Sequence, residues 1–200
     1  MTAATTRLPE RTLGVLGGMG PAATAEFLRL LAADVPAARD QEHPRIVMLS
    51  DPGIPDRTAA ILGDDTEAAR RIRQDLFTLA GWGADLLAIP CNTAHALLDD
   101  IAAELPAPVV DIVDATLEPA ARTSPEGGWL TATTGTVASG LYQTRAAARG
   151  YPLHVPGDGE QARVHAAAEL MKTGRTDEAA SRRDHRCTVP GSPILGIRNS

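Results

Sequence analysis

The chain has two cysteines, and one of them stands in "ADLLAIPCNTAH", residues 84–95, at the point where an apolar run stops. Cys91 follows Pro90 directly, and Asn92, Thr93 and His95 come close behind. A thiol that ends a buried strand and opens a helix lies on the edge of an open α/β sheet where ligands bind. The positive end of a helix favours the thiolate, the form that acts as nucleophile or base. Asn92 and Thr93 can cap that helix or hydrogen-bond a substrate. The same pattern also describes a buried cysteine packed as a small apolar residue. A metal site at Cys91 and His95 lacks a cluster of further ligands, and His95 can equally cap or pack within the helix.

Three other stretches carry polar chemistry. "GGMGPAAT" puts glycines where a strand turns into a helix, and Gly18, Gly20 and Ala23 satisfy the loose dinucleotide pattern G-x-G-x-x-G/A. Its acidic partner is misplaced, since Asp40 precedes the next strand and Asp51 lies farther away. The broader reading is a turn whose backbone N–H groups hold a carboxylate or phosphate. "TATTGT" offers the hydroxyls of Thr131, Thr133 and Thr134 at a strand end, or simply a threonine-rich strand and turn. "IPDRT" sets Arg57 in a loop beyond the second strand, either to grip a carboxylate with two parallel bonds or as a solvated arginine. Lys172 is the only lysine in the chain.

The elements that must position these residues alternate. "TLGVLGG", "RIVMLSD", "ADLLAIP", "APVVDIV", "WLTATTGT" and "PLHVPG" read as strands. Helices are expected after Pro21, over Thr66 to Ala80, Cys91 to Leu105, Asp114 to Arg122, within "SGLYQTRAAARG", and over Glu160 to Lys172. Such alternation predicts an α/β fold with parallel sheets flanked by helices. Strand, small-residue turn and helix recur at "VLGGMGPAAT" and "LTATTGTVASG", which predicts two similar lobes facing a cleft. The expected organisation is a flexible arm over residues 1–11, a first lobe over 12–115 carrying Cys91, an incomplete second lobe over 116–180, and a weakly ordered tail over 181–200. Within that tail only "PILGI" has the composition of a strand, and a short one.

Bulk composition narrows the partners. A net charge of -6 with no basic stripe argues against nucleic acid. No apolar run is long enough to span a membrane, and the first residues do not read as a signal peptide. Two cysteines make no disulfide framework, in keeping with a cytoplasmic location. With aromatics at only 3%, the core must be built from Ala, Leu, Val and Ile.

"GVLGGMGPAAT", "RDQEHPRIVMLSDPGIPDRTAAILG", "GADLLAIPCNTAHALLDDI", "LTATTGTVASGLY" and "ELMKTGR" occur in that order. Together they resemble the aspartate racemase branch of the aspartate/glutamate racemase superfamily, over about residues 12–175. The resemblance implies racemisation of a small acidic amino acid without pyridoxal phosphate, another cofactor or a metal, in a homodimer. It implies two cysteines on opposite faces of the α-carbon, one removing and one returning the proton. Cys91 matches the first of them. Arg57 and Lys172 match residues that bind the substrate carboxylates, and Asn92, Thr93 and Thr133 match polar residues lining the site. Two cations suit a dicarboxylic substrate.

The likeness fails near the end. In the family a long helix, an apolar strand and "GCTE" carry the second cysteine, with another strand and helix following. Here Cys187 stands in "RCTV", closer to Lys172 than the family's spacing and without the apolar strand. The match of Cys187 to the second catalytic cysteine is therefore weak. A missing strand and helix would leave an open sheet edge and an uncovered face, as in a truncated or frame-shifted product, or one completed by a partner subunit. Two further readings follow: a one-cysteine decarboxylase or isomerase of the same superfamily, and a vestigial binder of dicarboxylates.

Overall fold

A computed structural model describes residues 11–172, 175 and 194–195. Two three-stranded sheets organise the chain, and every strand pairing is parallel. The first has the order β2-β1-β3, from β1 (Thr12–Gly17), β2 (Arg45–Ser50) and β3 (Leu86–Ala88). The second has the order β5-β4-β6, from β4 (Gly128–Leu130), β5 (Leu153–His154) and β6 (Ile194–Leu195). This is the α/β architecture expected from the alternating pattern, and the short strand inside "PILGI" is present.

Local chemistry explains the first sheet. β1 is central, and all of its residues but Leu13 are buried, with α3 packed on it. A Cβ built on Gly14 would come within 2.7 Å of the Ala84 side chain, so only glycine lets strand and crossover pack this closely. Helix α1 (Pro21–Asp34) starts with proline at its first position, as the sequence predicts. Helix α2 (Arg57–Gly63) begins inside "IPDRT", where a loop is expected, and carries Arg57 as its first residue. Its start is fixed by Asp56, whose carboxylate accepts the Ala59 N–H at 2.8 Å. Helix α3 (Glu67–Gly81) turns Ile72, Leu76 and Leu79 inward, all fully buried at helical spacing.

Several expected elements are shorter than their patterns. The helix expected over Cys91 to Leu105 is two single turns, α4 (Asn92–His95) and α5 (Asp99–Ala102). "APVVDIV" contributes one parallel bridge, Leu87 with Val109, before Asp111 caps α6 (Ile112–Thr123) through the N–H groups of Val113 and Asp114. "WLTATTGT" stops being strand at Leu130, because Thr133 caps α7 (Thr134–Ala138). In the last two cases a short polar side chain offers the backbone a helix start that outcompetes sheet pairing. Helices α8 (Leu141–Ala148) and α9 (Asp158–Lys172) complete the second half.

Two apolar clusters result. One centres on Leu16, Ile72, Leu76, Leu79 and Leu87, the other on Val113, Leu117, Leu130, Tyr142 and Tyr151. Cys187 and most of the stretch read as a weakly ordered tail lie outside the described residues.

One buried charge stands out in the first half. Asp51 ends β2, accepts the Gly53 N–H at 2.8 Å and takes a 2.5 Å bond from Arg71, which holds its carboxyl below the usual range. It is thus occupied, and does not serve as the acidic partner of a dinucleotide site. Asp75 on α3 is only 8% exposed, and its Oδ2 is buried without a hydrogen-bond partner. Burial, and then the charge of Asp51, push its carboxyl up. The folded protein therefore holds the Asp75 proton more tightly than the unfolded chain does. This contribution to stability falls as pH rises from the ordinary carboxylate range through the raised value. Asp75→Asn, neutral and nearly isosteric, is expected to raise unfolding stability at pH 7 by about 1 kcal/mol. Urea titrations at pH 7 and pH 4 check this, and the gain should shrink at the lower pH.

Candidate active site

Parallel pairing sets the carboxyl ends of β1 and β3 side by side, with Val15 opposite Ala88. The Gly18 turn and Cys91 consequently leave the sheet at the same edge. The turn is pinned by Thr24, whose hydroxyl accepts the Gly18 N–H and donates to the Gly20 carbonyl, both at 3.1 Å. Gly18 has φ +93, and a Cβ there would meet the Asp51 backbone at 2.6 Å, so no other residue fits.

Cys91 is a partly exposed free thiol at the N-cap position of α4. Its N–H donates to the Ile89 carbonyl at 2.7 Å, which bends the chain sharply at the end of β3. Since α4 is a single turn, the dipole facing the thiol is that of one turn and not of the four the pattern predicts.

Arg57 is not a solvated loop arginine. It begins α2 and is 8% exposed. Its Nη1 donates to the carbonyls of Ile54 and Pro55, both at 3.0 Å, and its Nη2 to the carbonyl of Met19 at 3.2 Å. The guanidinium is thus held by main-chain acceptors, one of them from the glycine-rich turn. Its Nε is buried with no partner. A buried cation with an unused donor can receive an anion without displacing a protein carboxylate.

Lys172, the last residue of α9, reaches the same turn: a Cβ on Gly20 would lie 3.4 Å from the Lys172 Cβ. Its ammonium is paired with Glu169 at 2.5 Å and approaches Asp56 at 3.7 Å. Burial alone would raise the Asp56 carboxyl. The Ala59 N–H, Lys172 and Arg57 outweigh it and hold the group below the usual range. Helix α9 also spans the two halves, because Gln161 donates to the Ala132 carbonyl at 2.9 Å and His165 accepts the Thr134 N–H at 3.3 Å.

The halves meet at α2, α4 and α7. The hydroxyls of Thr93, Thr133 and Thr136 form a triangle with sides of 2.8, 2.9 and 3.1 Å. Asn92 accepts a short hydrogen bond from the Tyr142 hydroxyl, and burial pushes that phenol up, so it stays a donor at neutral pH. Beside them Gly135 packs so closely that a Cβ would lie 2.7 Å from the Thr58 Cα. Arg57, Cys91, Asn92, Thr93, Thr133 and Lys172 thus belong to one connected region at the sheet edges. Sequence reasoning missed Thr136 and Tyr142. The first was readable as the residue three positions after a capping threonine, and nothing marked the second. Among the described residues no group of three or more His, Cys, Asp or Glu side chains could hold a metal ion, and no helix is long and apolar enough to cross a membrane.

The chain is thus of the parallel α/β class, with a cysteine, an arginine and a hydroxyl cluster carried where its strands end. The family follows from comparison: the model of the Asp/Glu/Hydantoin racemase family matches residues 16–188, and the chain belongs to that family. An aspartate racemase of Picrophilus torridus shares the fold with a TM-score of 0.78 at 27% identity, over 86% of this chain and 72% of that one. The glutamate racemase of Campylobacter jejuni superposes with a TM-score of 0.60 at 22% identity, over 91% of this chain and 69% of that one, and supports the fold alone. A broad-specificity amino-acid racemase of Bacillus subtilis is 30% identical over 112 residues, 53% of this chain and 48% of that protein. The chain spans about half the length of this curated relative.

The interlobe contacts make a stability prediction. Gly135→Ala should destabilise the protein by about 1–3 kcal/mol, because the Thr58 backbone must move to admit a methyl group. Thr136→Val should cost about 1 kcal/mol through one lost hydroxyl. Urea denaturation of both variants checks the order.

Proposed function

We propose that the chain is a cofactor-independent amino-acid racemase interconverting L- and D-aspartate or a similar acidic amino acid. The observation that carries this is the buried Arg57 guanidinium, bound to carbonyls with Nε unpartnered, close to the sheet edge where Cys91 emerges. An amino acid whose carboxylate meets Arg57 would present its α-carbon to the cleft, where the Cys91 thiolate takes the α-proton. Removing that proton places negative charge on the α-carbon and carboxylate. A fixed guanidinium and oriented N–H and O–H groups stabilise that charge without reorganising. Asn92, Thr93 and Thr133 supply such groups. Lys172 would face a second carboxylate, which must compete with Glu169 and Asp56 for the ammonium. Membership of the racemase family and likeness to the Picrophilus torridus aspartate racemase support this reading.

Inversion needs a proton donor on the opposite face. Cys187 is the chain's only other thiol and takes that role in this proposal. We place the enzyme in the cytoplasm, as a homodimer.

The test is proton NMR of L-aspartate with the protein in D2O, followed by chiral analysis. The expected result is loss of the α-proton signal with formation of D-aspartate. Cys91→Ser and Cys187→Ser should each slow inversion by about 100-fold or more. Exchange that survives Cys187→Ser and retains configuration would instead mark Cys91 as a lone base. Binding of aspartate by the folded protein with no exchange would overturn the racemase reading in favour of a dicarboxylate binder.

A further inference from the structure

His95 is the last residue of α4 and is 6% exposed. Its imidazole lies between two main-chain carbonyls, with Nδ1 3.0 Å from the Cys91 oxygen and Nε2 3.3 Å from the Val110 oxygen. Carbonyls only accept, so a neutral ring donates to one of them and rests against the other. With the proton on Nδ1, the backbone of the thiol-bearing residue is held on both sides, its N–H by Ile89 and its carbonyl by His95.

The carbonyl on the other side of the ring is also fixed in place. Val110 donates its N–H to the Leu87 carbonyl at 2.8 Å, anchoring it to β3, the strand that delivers Cys91. The next residue, Asp111, caps α6 and pairs with Arg145 of α8 at 3.1 Å, so Val110 stands where the chain crosses into its second half. A single-turn helix has too few internal hydrogen bonds to fix its first peptide by itself. His95, buried between Cys91 and Val110, supplies a further constraint on that peptide.

We propose that His95 is the positioning residue for Cys91: its buried ring, resting against the Val110 carbonyl, donates from Nδ1 to the Cys91 carbonyl and so fixes the thiol relative to the sheet edge. It does not touch the substrate. The inference rests on the reading of Cys91 as the proton-transferring thiol, but it is tested with and without turnover. Small misplacements of a reacting group are costly in rate while leaving ground-state binding largely intact.

The experiment compares His95→Leu, His95→Asn and His95→Gln in the full chain. An Asn amide can place an N–H near the Nδ1 position, whereas Gln reaches toward the Nε2 position. One readout is the rate of iodoacetamide modification of Cys91, resolved by peptide mass spectrometry, which needs no catalytic activity. The other is kcat against KM for aspartate racemisation. His95→Leu and His95→Gln are expected to change the Cys91 alkylation rate by about threefold or more and to lower kcat by about tenfold, with KM within about twofold. His95→Asn should recover most of both. If His95→Leu does not fold, the contrast between Asn and Gln decides. Equal alkylation rates in wild type and all folded variants, or equal impairment of Asn and Gln, would overturn the proposal. An inactive wild type whose alkylation rate still follows this order would overturn the racemase reading and leave the positioning role standing.

Discussion

The rest of the site depends on one close contact. Gly135 lies against the Thr58 backbone with no room for a side chain, and beside it three threonine hydroxyls close a ring between the halves of the molecule. That approach packs the start of α2 against α7, while the hydroxyl ring ties the turn of α4 to the start of α7. Without it, Arg57 and Cys91 would belong to one sheet and Thr133 to another, with nothing to hold the two edges together. The hydroxyl ring is economical chemistry, since each threonine can donate once and accept once, leaving no buried oxygen unpaired.

Within that frame the charges are unequally committed. Lys172 is matched by Glu169 and Asp56, whereas Arg57 is held only by carbonyls and keeps a buried donor unused. A rigid, desolvated guanidinium and a compact, paired ammonium differ as anion receptors. In the proposed racemase, Arg57 would take an anion without giving up a protein carboxylate, while Lys172 would exchange one carboxylate for another.

Much of this was legible from residue order. Strands that end in "GGMG" and in "PCNT" placed the two edges correctly, because apolar runs stopped by glycine or proline leave few alternatives. The element types were readable where periodicity is long, as in α1, α3 and α9. What escaped was decided by single polar side chains acting at a distance. Asp56 converts an apparent loop into α2 and thereby buries Arg57. Asp111 and Thr133 cut strands short by capping helices. The contacts of His95 with Val110 and of Tyr142 with Asn92 join residues far apart in sequence, and no local pattern encodes such pairs. Cys187 lies outside the described residues, and its assignment as the second thiol comes from the family resemblance and belongs to the proposed function.

The parallel sheets also carry a history of their own making. The pairings of the first sheet, with its Leu87–Val109 bridge, fall between Thr12 and Val109, so it can assemble once that stretch has been synthesised. The second is different, because β4 pairs with Ile194–Leu195, across most of the chain's second half. Non-local parallel pairing pays its loop-closure entropy before any contact rewards it. During synthesis the edge of β4 that β6 will occupy must therefore wait, unpaired, until Ile194 and Leu195 emerge. The half that bears Cys91 can be in place well before the half that faces it.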